Sequence, residues 1–136
     1  MGAWGMGVFD DDTSCDLLYE AMETDALSFI KKAQNHKDAE YLEYDECHEV
    51  IVAASIMDYI LNGTKYNHNT EGYDEWLSKQ GKEGIEGIEN LKSVISEGLR
   101  RVLSGESELN ELWLENEEDY PAWKGNIESI LSNLNG

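Results

Sequence analysis

KDAEYLEYDECHEVIVAASIMDYILNG, residues 37–63, carries the strongest helical pattern in the chain. Val50, Ile51, Ala54, Met57, Ile60 and Leu61 recur at the three- and four-residue spacing that lines up side chains along a helix. Ala53 and Ile56 add apolar surface on other sides, so the predicted helix is apolar around most of its circumference. A helix of that kind belongs in the middle of a bundle, covered by others. Asn62-Gly63 ends it, because glycine enters the left-handed conformation that closes a helix C-terminus without steric cost. Upstream, AEYLEY allows a short extended piece.

The flanking segments supply the covering helices. Asp12 or Thr13 can cap a first helix running to about Ala21, with Leu17 and Leu18 turned inward. Thr24 or Asp25 can cap a second with an apolar face of Ala26, Leu27, Phe29, Ile30 and Ala33. GTKYNHNTEGYDEW reads as a long polar loop holding a short helix from about Tyr73 to Ser78. Ile85, Ile88, Leu91, Val94, Ile95, Leu99 and Val102 predict one amphipathic helix of roughly five turns. Gly87 and Gly98 weaken that helix by about 1 kcal/mol each relative to alanine. Ser107 caps a short helix with Leu109, Leu112 and Trp113, and Asp119 with Pro121 opens the last, carrying Trp123, Ile127, Ile130, Leu131 and Leu134. The expected fold is an all-α bundle of six to seven helices around the central one, in one domain over residues 1–136.

Length and composition agree with one core. A chain of 136 residues buries roughly two-thirds of its unfolded surface, and 40% apolar residues separate it from chains too polar to fold. The formal net charge is -19, from 29 Asp and Glu against 10 Lys and Arg. Phosphate binding relies on lysine and arginine displacing counterions, so nucleic acid is not an expected ligand, nor is an anionic membrane surface. The excess favours rapid, steered encounter with a basic partner. The acids also come in blocks without Lys or Arg inside them, from Asp10 to Asp25, from Asp38 to Asp58, and from Glu106 to Asp119. Such blocks repel one another unless something positive meets them. A secretory leader and a membrane span are not expected, and two cysteines, Cys15 and Cys47, fit reduced thiols in a cytoplasmic protein.

Catalytic motifs are weak by comparison. GAWGMG near the start lacks the preceding strand, the lysine and the hydroxyl residue of a phosphate loop, and the helix after it begins with aspartates. Trp4 and Phe9 read instead as core anchors, with Gly2, Gly5 and Gly7 allowing tight turns beside them. Asp10, Asp11, Asp12 and Asp16 lack the order of a calcium loop and fit helix capping. Cys47 and His48 are neighbours on a helix and point about 100° apart, so they do not form a nucleophile pair with each other. Neither a cofactor nor a metal is expected, and a catalytic role is not the expectation. The tryptophans Trp4, Trp113 and Trp123 read as core, whereas Trp76, with Tyr66 and Tyr73, is the aromatic cluster that can form an exposed binding patch.

The opening MGAWGMGVFDDDTSCD, in which Gly-Ala-Trp-Gly-x-Gly-x-Phe runs into acidic residues, together with SELNELW followed ten residues on by Trp123, resembles the bacterial family called domain of unknown function 4259. The resemblance spans nearly the whole chain. It implies a small, largely helical cytoplasmic protein and carries over no catalytic residues. The family's similarity to small acidic proteins encoded beside secreted toxins implies an immunity role. Where many members have an alanine-rich central helix, this chain has IVAASIMDYI.

The expected function is therefore an immunity or antitoxin-type protein that neutralises a basic toxin, a nuclease in the first instance, by presenting carboxylates to its substrate surface. The expected contact residues are Asp38, Glu40, Glu43, Asp45, Glu46 and Glu49 in one stretch. Glu106, Glu108, Glu111, Glu115, Glu117, Glu118 and Asp119 form the second, with Tyr73 and Trp76 as aromatic anchors. The alternatives are a non-catalytic interaction or regulatory domain without a toxin partner, and a metal-binding enzyme built on Asp10 to Asp16 or on Cys47 and His48.

Overall fold

The structure, a computed structural model, describes residues 9, 11–66, 68, 70–80 and 85–135. The expected anchor Trp4, the glycines before it and Asp10 lie outside these residues. Eight α-helices follow one another among the described residues: α1 (Asp12–Met22), α2 (Ala26–Gln34), α3 (Tyr44–Asn62), α4 (Tyr73–Ser78), α5 (Ile85–Asn90), α6 (Lys92–Val102), α7 (Glu108–Leu114) and α8 (Tyr120–Asn135). A 3-10 turn, Asn35–Asp38, extends α2.

The central helix is α3. Its residues from Cys47 to Asp58 are buried without interruption, and α1, α2, α5, α6, α7 and α8 all pack against it. An apolar circumference forces that arrangement, since no side of the helix can face water without exposing aliphatic surface. Glu46 folds back at the start of α3 so that its carboxylate accepts the Glu43 backbone N–H at 3.0 Å. Gly63, at φ 78°, ends the helix, its N–H donating to the Tyr59 carbonyl at 2.8 Å.

Local capping signals hold with small shifts. The cap of α1 is Asp11, one residue before the expected position, and its carboxylate accepts the Thr13 N–H at 2.7 Å. Asp25 caps α2 through the Ser28 N–H at 2.8 Å, and Ser107 caps α7 through the Asn110 N–H at 3.1 Å. The long helix expected over 85–102 is two. At Leu91 the ladder tightens, with its N–H reaching the Ile88 carbonyl at 3.0 Å, and α6 then starts afresh. The break lets α5 settle against α2 and α3, where Gly87 sits close to Leu27, while α6 runs along α3 and α8. Gly98 makes the second crossing possible: a Cβ there would stand 3.0 Å from a Val50 methyl. Trp113 of α7 and Trp123 of α8 stack almost parallel, with ring centroids 5.7 Å apart.

No helix among the described residues is long and apolar enough to cross a membrane.

Candidate protein-interaction surface

The two acidic stretches meet at one backbone joint. Leu42 donates its N–H to the Glu106 carbonyl at 2.7 Å and accepts the Glu108 N–H at 2.9 Å, pairing with Ser107 in an isolated parallel bridge. The short extended piece expected in AEYLEY is this segment. Extended chains alternate their side chains between two sides. Leu42 and Ser107 are buried, and Tyr41, Glu43 and Glu106 beside them are exposed.

Side chains reinforce the joint. The Tyr44 N–H donates to the Glu108 carboxylate at 2.8 Å, and the Tyr41 hydroxyl donates to Glu111 at 2.9 Å. Desolvation of the phenol, the bond to Glu111 and the charges of Glu111 and Glu108 push Tyr41 up to about 12. Beneath the joint the Cys47 thiol lies 3.2 Å from the Ser107 hydroxyl, and burial pushes that thiol up. Arg101 braces the approach to it, donating to the carbonyls of His36 and Ala39 and standing 3.8 Å from Glu106.

Of the acids expected to contact a partner, Asp38, Glu40, Glu43, Asp45, Glu106, Glu111, Glu115, Glu117 and Glu118 are exposed. Glu108, Glu46 and Asp119 are half-buried. Ten of them make no ion pair with a described residue: Asp38, Glu40, Glu43, Asp45, Glu108, Glu111, Glu115, Glu117, Glu118 and Asp119. Glu49 is different. It is buried and faces His36 Nε2 at 3.4 Å, while Glu46 faces His36 Nδ1 at 3.2 Å. That trio ties the 3-10 turn to α3, which takes Glu49 off the surface.

The expected aromatic anchors are also elsewhere than predicted. Tyr73 is 3% exposed, edge-on to Phe9 and stacked on Trp76. Trp76 is half-buried and donates its indole N–H to the Thr24 carbonyl at 3.1 Å, locking α4 to the turn between α1 and α2. Tyr66 sends its hydroxyl to the buried Asp58. This aromatic cluster closes the core where an exposed patch was expected. Exposed Tyr41, at the joint, and exposed Leu114, at the end of α7, were not predicted; Tyr41 lies inside a run of glutamates, where the local pattern signals charge.

One further constellation escaped the sequence reading. The Ser14 hydroxyl lies 2.9 Å from His48 Nδ1, and His48 Nε2 faces Asp11 at 3.6 Å, with the Tyr44 hydroxyl donating to the same carboxylate. The residue types are those of a hydrolytic triad, but Ser14 is fully buried and Asp11 is engaged in capping α1. The group joins α1 to α3. Burial pulls the His48 imidazole down despite the nearby charges of Asp11 and Asp45. The neighbouring residues Cys47 and His48 do diverge, the thiol toward Ser107 and the ring toward Ser14. Among the described residues, no three His, Cys, Asp or Glu side chains are placed to hold one metal ion.

A family model described as "Domain of unknown function (DUF4259)" matches residues 2–126, so the chain belongs to that family. No curated protein and no solved structure matches it.

Proposed function

We propose that this member of the DUF4259 family is an immunity-type binding protein of the cytoplasm, which neutralises a basic toxin domain by covering it with the acidic face around the Leu42–Ser107 joint. The observation that carries the reading is the joint itself. It joins the Asp38 to Glu46 stretch, through Tyr41, Leu42 and Tyr44, to Glu106, Ser107, Glu108 and Glu111 of the second stretch, and most carboxylates of the two stretches have no cation facing them among the described residues. Concentrating uncompensated charge on one face costs stability through self-repulsion, and a cationic partner recovers that cost on docking. It also speeds encounter, since opposite fields steer two proteins together before contact. A nuclease fits as the partner class because the surface that holds its substrate is basic, and a carboxylate-rich inhibitor competes directly for it.

The test is co-expression and co-purification with the protein encoded immediately upstream. That protein should be toxic alone, harmless in the presence of this chain, and retained with it through purification. A neighbour that is neither toxic nor bound ends the immunity reading.

A further inference from the structure

Three large apolar side chains stand out into solvent among the described residues: Tyr19 at 50%, Tyr41 at 40% and Leu114 at 49% exposure. Two of them are linked through α7. The Tyr41 hydroxyl is tied to Glu111 at 2.9 Å, and Leu114 follows Glu111 by three residues on α7, on the adjoining helix face. The tyrosine is thus held with its ring beside α7 by a bond that costs it little freedom on binding. Glu40 and Glu43 flank it in the chain, and Glu115 follows Leu114.

We propose that Tyr41 and Leu114 are the apolar centre of a docking face whose occupant is a cationic protein segment, one that presents an apolar side chain between lysines or arginines. This deepens the reading of the chain as a binding protein and rests on it. Interfaces place aromatic and aliphatic anchors at their centre and polar groups around the rim, and here Glu40, Glu43, Glu111 and Glu115 are the exposed carboxylates nearest to the two anchors in the chain or by hydrogen bond. Charge complementarity selects the occupant. A second copy of the chain would bring the same glutamates against these, and each copy carries a net charge of -19. Nucleic acid and anionic lipid are repelled for the same reason. The glutamates steer and orient the segment, and Tyr41 and Leu114 discriminate it from an all-polar cation by the apolar area they bury.

The test uses two synthetic peptides of equal charge, one with a tryptophan between arginine pairs and one with serine in its place. Binding to the full chain is measured by calorimetry and by amide chemical shifts. The tryptophan peptide should bind on the order of ten-fold tighter and shift the signals of Tyr41, Glu111 and Leu114. The Tyr41→Ala/Leu114→Ala variant should lose that advantage while still binding the serine peptide, and Tyr19→Ala should keep it. Equal affinity of the parent for both peptides, or an advantage that survives the double substitution, overturns the proposal. The comparison on the parent stands even if the double variant misfolds. A non-toxic neighbour would remove the immunity reading and leave this result intact; equal peptide binding would remove the anchor whatever the neighbour does.

Discussion

Asn133 of α8 donates its side-chain amide to the carboxylate of Asp58 in α3 at 3.0 Å, inside a site where Asp58 has no exposed surface. Asn62 at 2.8 Å, Thr64 at 3.1 Å and the Tyr66 hydroxyl complete the set of donors. Neutral donors therefore replace the water that a buried carboxylate has lost, and they fasten the end of α3, the loop after it and α8 to one point.

Removing the acceptor strands every donor at once. Asp58→Ala is expected to cost about 3–5 kcal/mol in urea unfolding, and Asn133→Ala only about 1–2 kcal/mol, because the remaining three donors still serve the carboxylate. Equal losses from the two substitutions would show that the cluster does not act as a unit around Asp58.

His48 sets a pH dependence whose sign follows from burial. Its pKa lies below the ordinary 6.5, so below that pH the unfolded chain binds a proton that the folded protein resists. Stability on this account is complete at neutral pH and is lost as pH falls through about 6.5 toward the lower folded value. The parent should lose more Tm than His48→Gln between about pH 7.5 and about pH 5.5. Taking the difference between the two proteins cancels the carboxylates common to both.

Two glycines inside helices should respond in opposite directions. Nothing lies within 4 Å of a Cβ added at Gly125 of α8, so Gly125→Ala should stabilise by up to about 1 kcal/mol. At Gly98 the Val50 methyl is already 3.0 Å from that Cβ, and the larger Gly98→Val should destabilise by about 1–3 kcal/mol through overpacking between α6 and α3. Thermal melts of the two variants decide it; a neutral Gly98→Val would mean that the crossing relaxes freely.

Trp76 separates packing from recognition. Trp76→Phe removes the donor to the Thr24 carbonyl and should cost about 1 kcal/mol, with no change in partner affinity. A selective loss of binding at unchanged Tm would return Trp76 to the docking surface.

Neutralising exposed carboxylates should separate association from stability. Glu115→Gln, Glu117→Gln and Glu118→Gln together remove charges that face no cation among the described residues. Tm should hold or rise, while the association rate with the basic partner falls and depends less on salt. Stopped-flow measurement over a salt series checks both; an unchanged association rate would place the contact away from the segment that follows α7.

Much of the fold was legible because its causes are local. The spacing from Val50 to Leu61, the stop at Gly63 and the cap at Ser107 each depend on residues within a few positions of one another, and the sequence alone determined them; it narrowed the cap of α2 to Thr24 or Asp25. So did the acidic excess and its division into blocks. The break at Leu91 was missed because an unbroken apolar period does not reveal that α5 must turn onto α2 and α3. Only the tertiary structure decided that Glu49 and Tyr73 are inside and Tyr41 and Leu114 outside, that Ser14 meets His48, and that Leu42 pairs with Ser107. Charge and aromaticity are properties of a residue, whereas exposure is a property of what the rest of the chain packs against it, and no local spacing encodes a partner that lies in a distant segment.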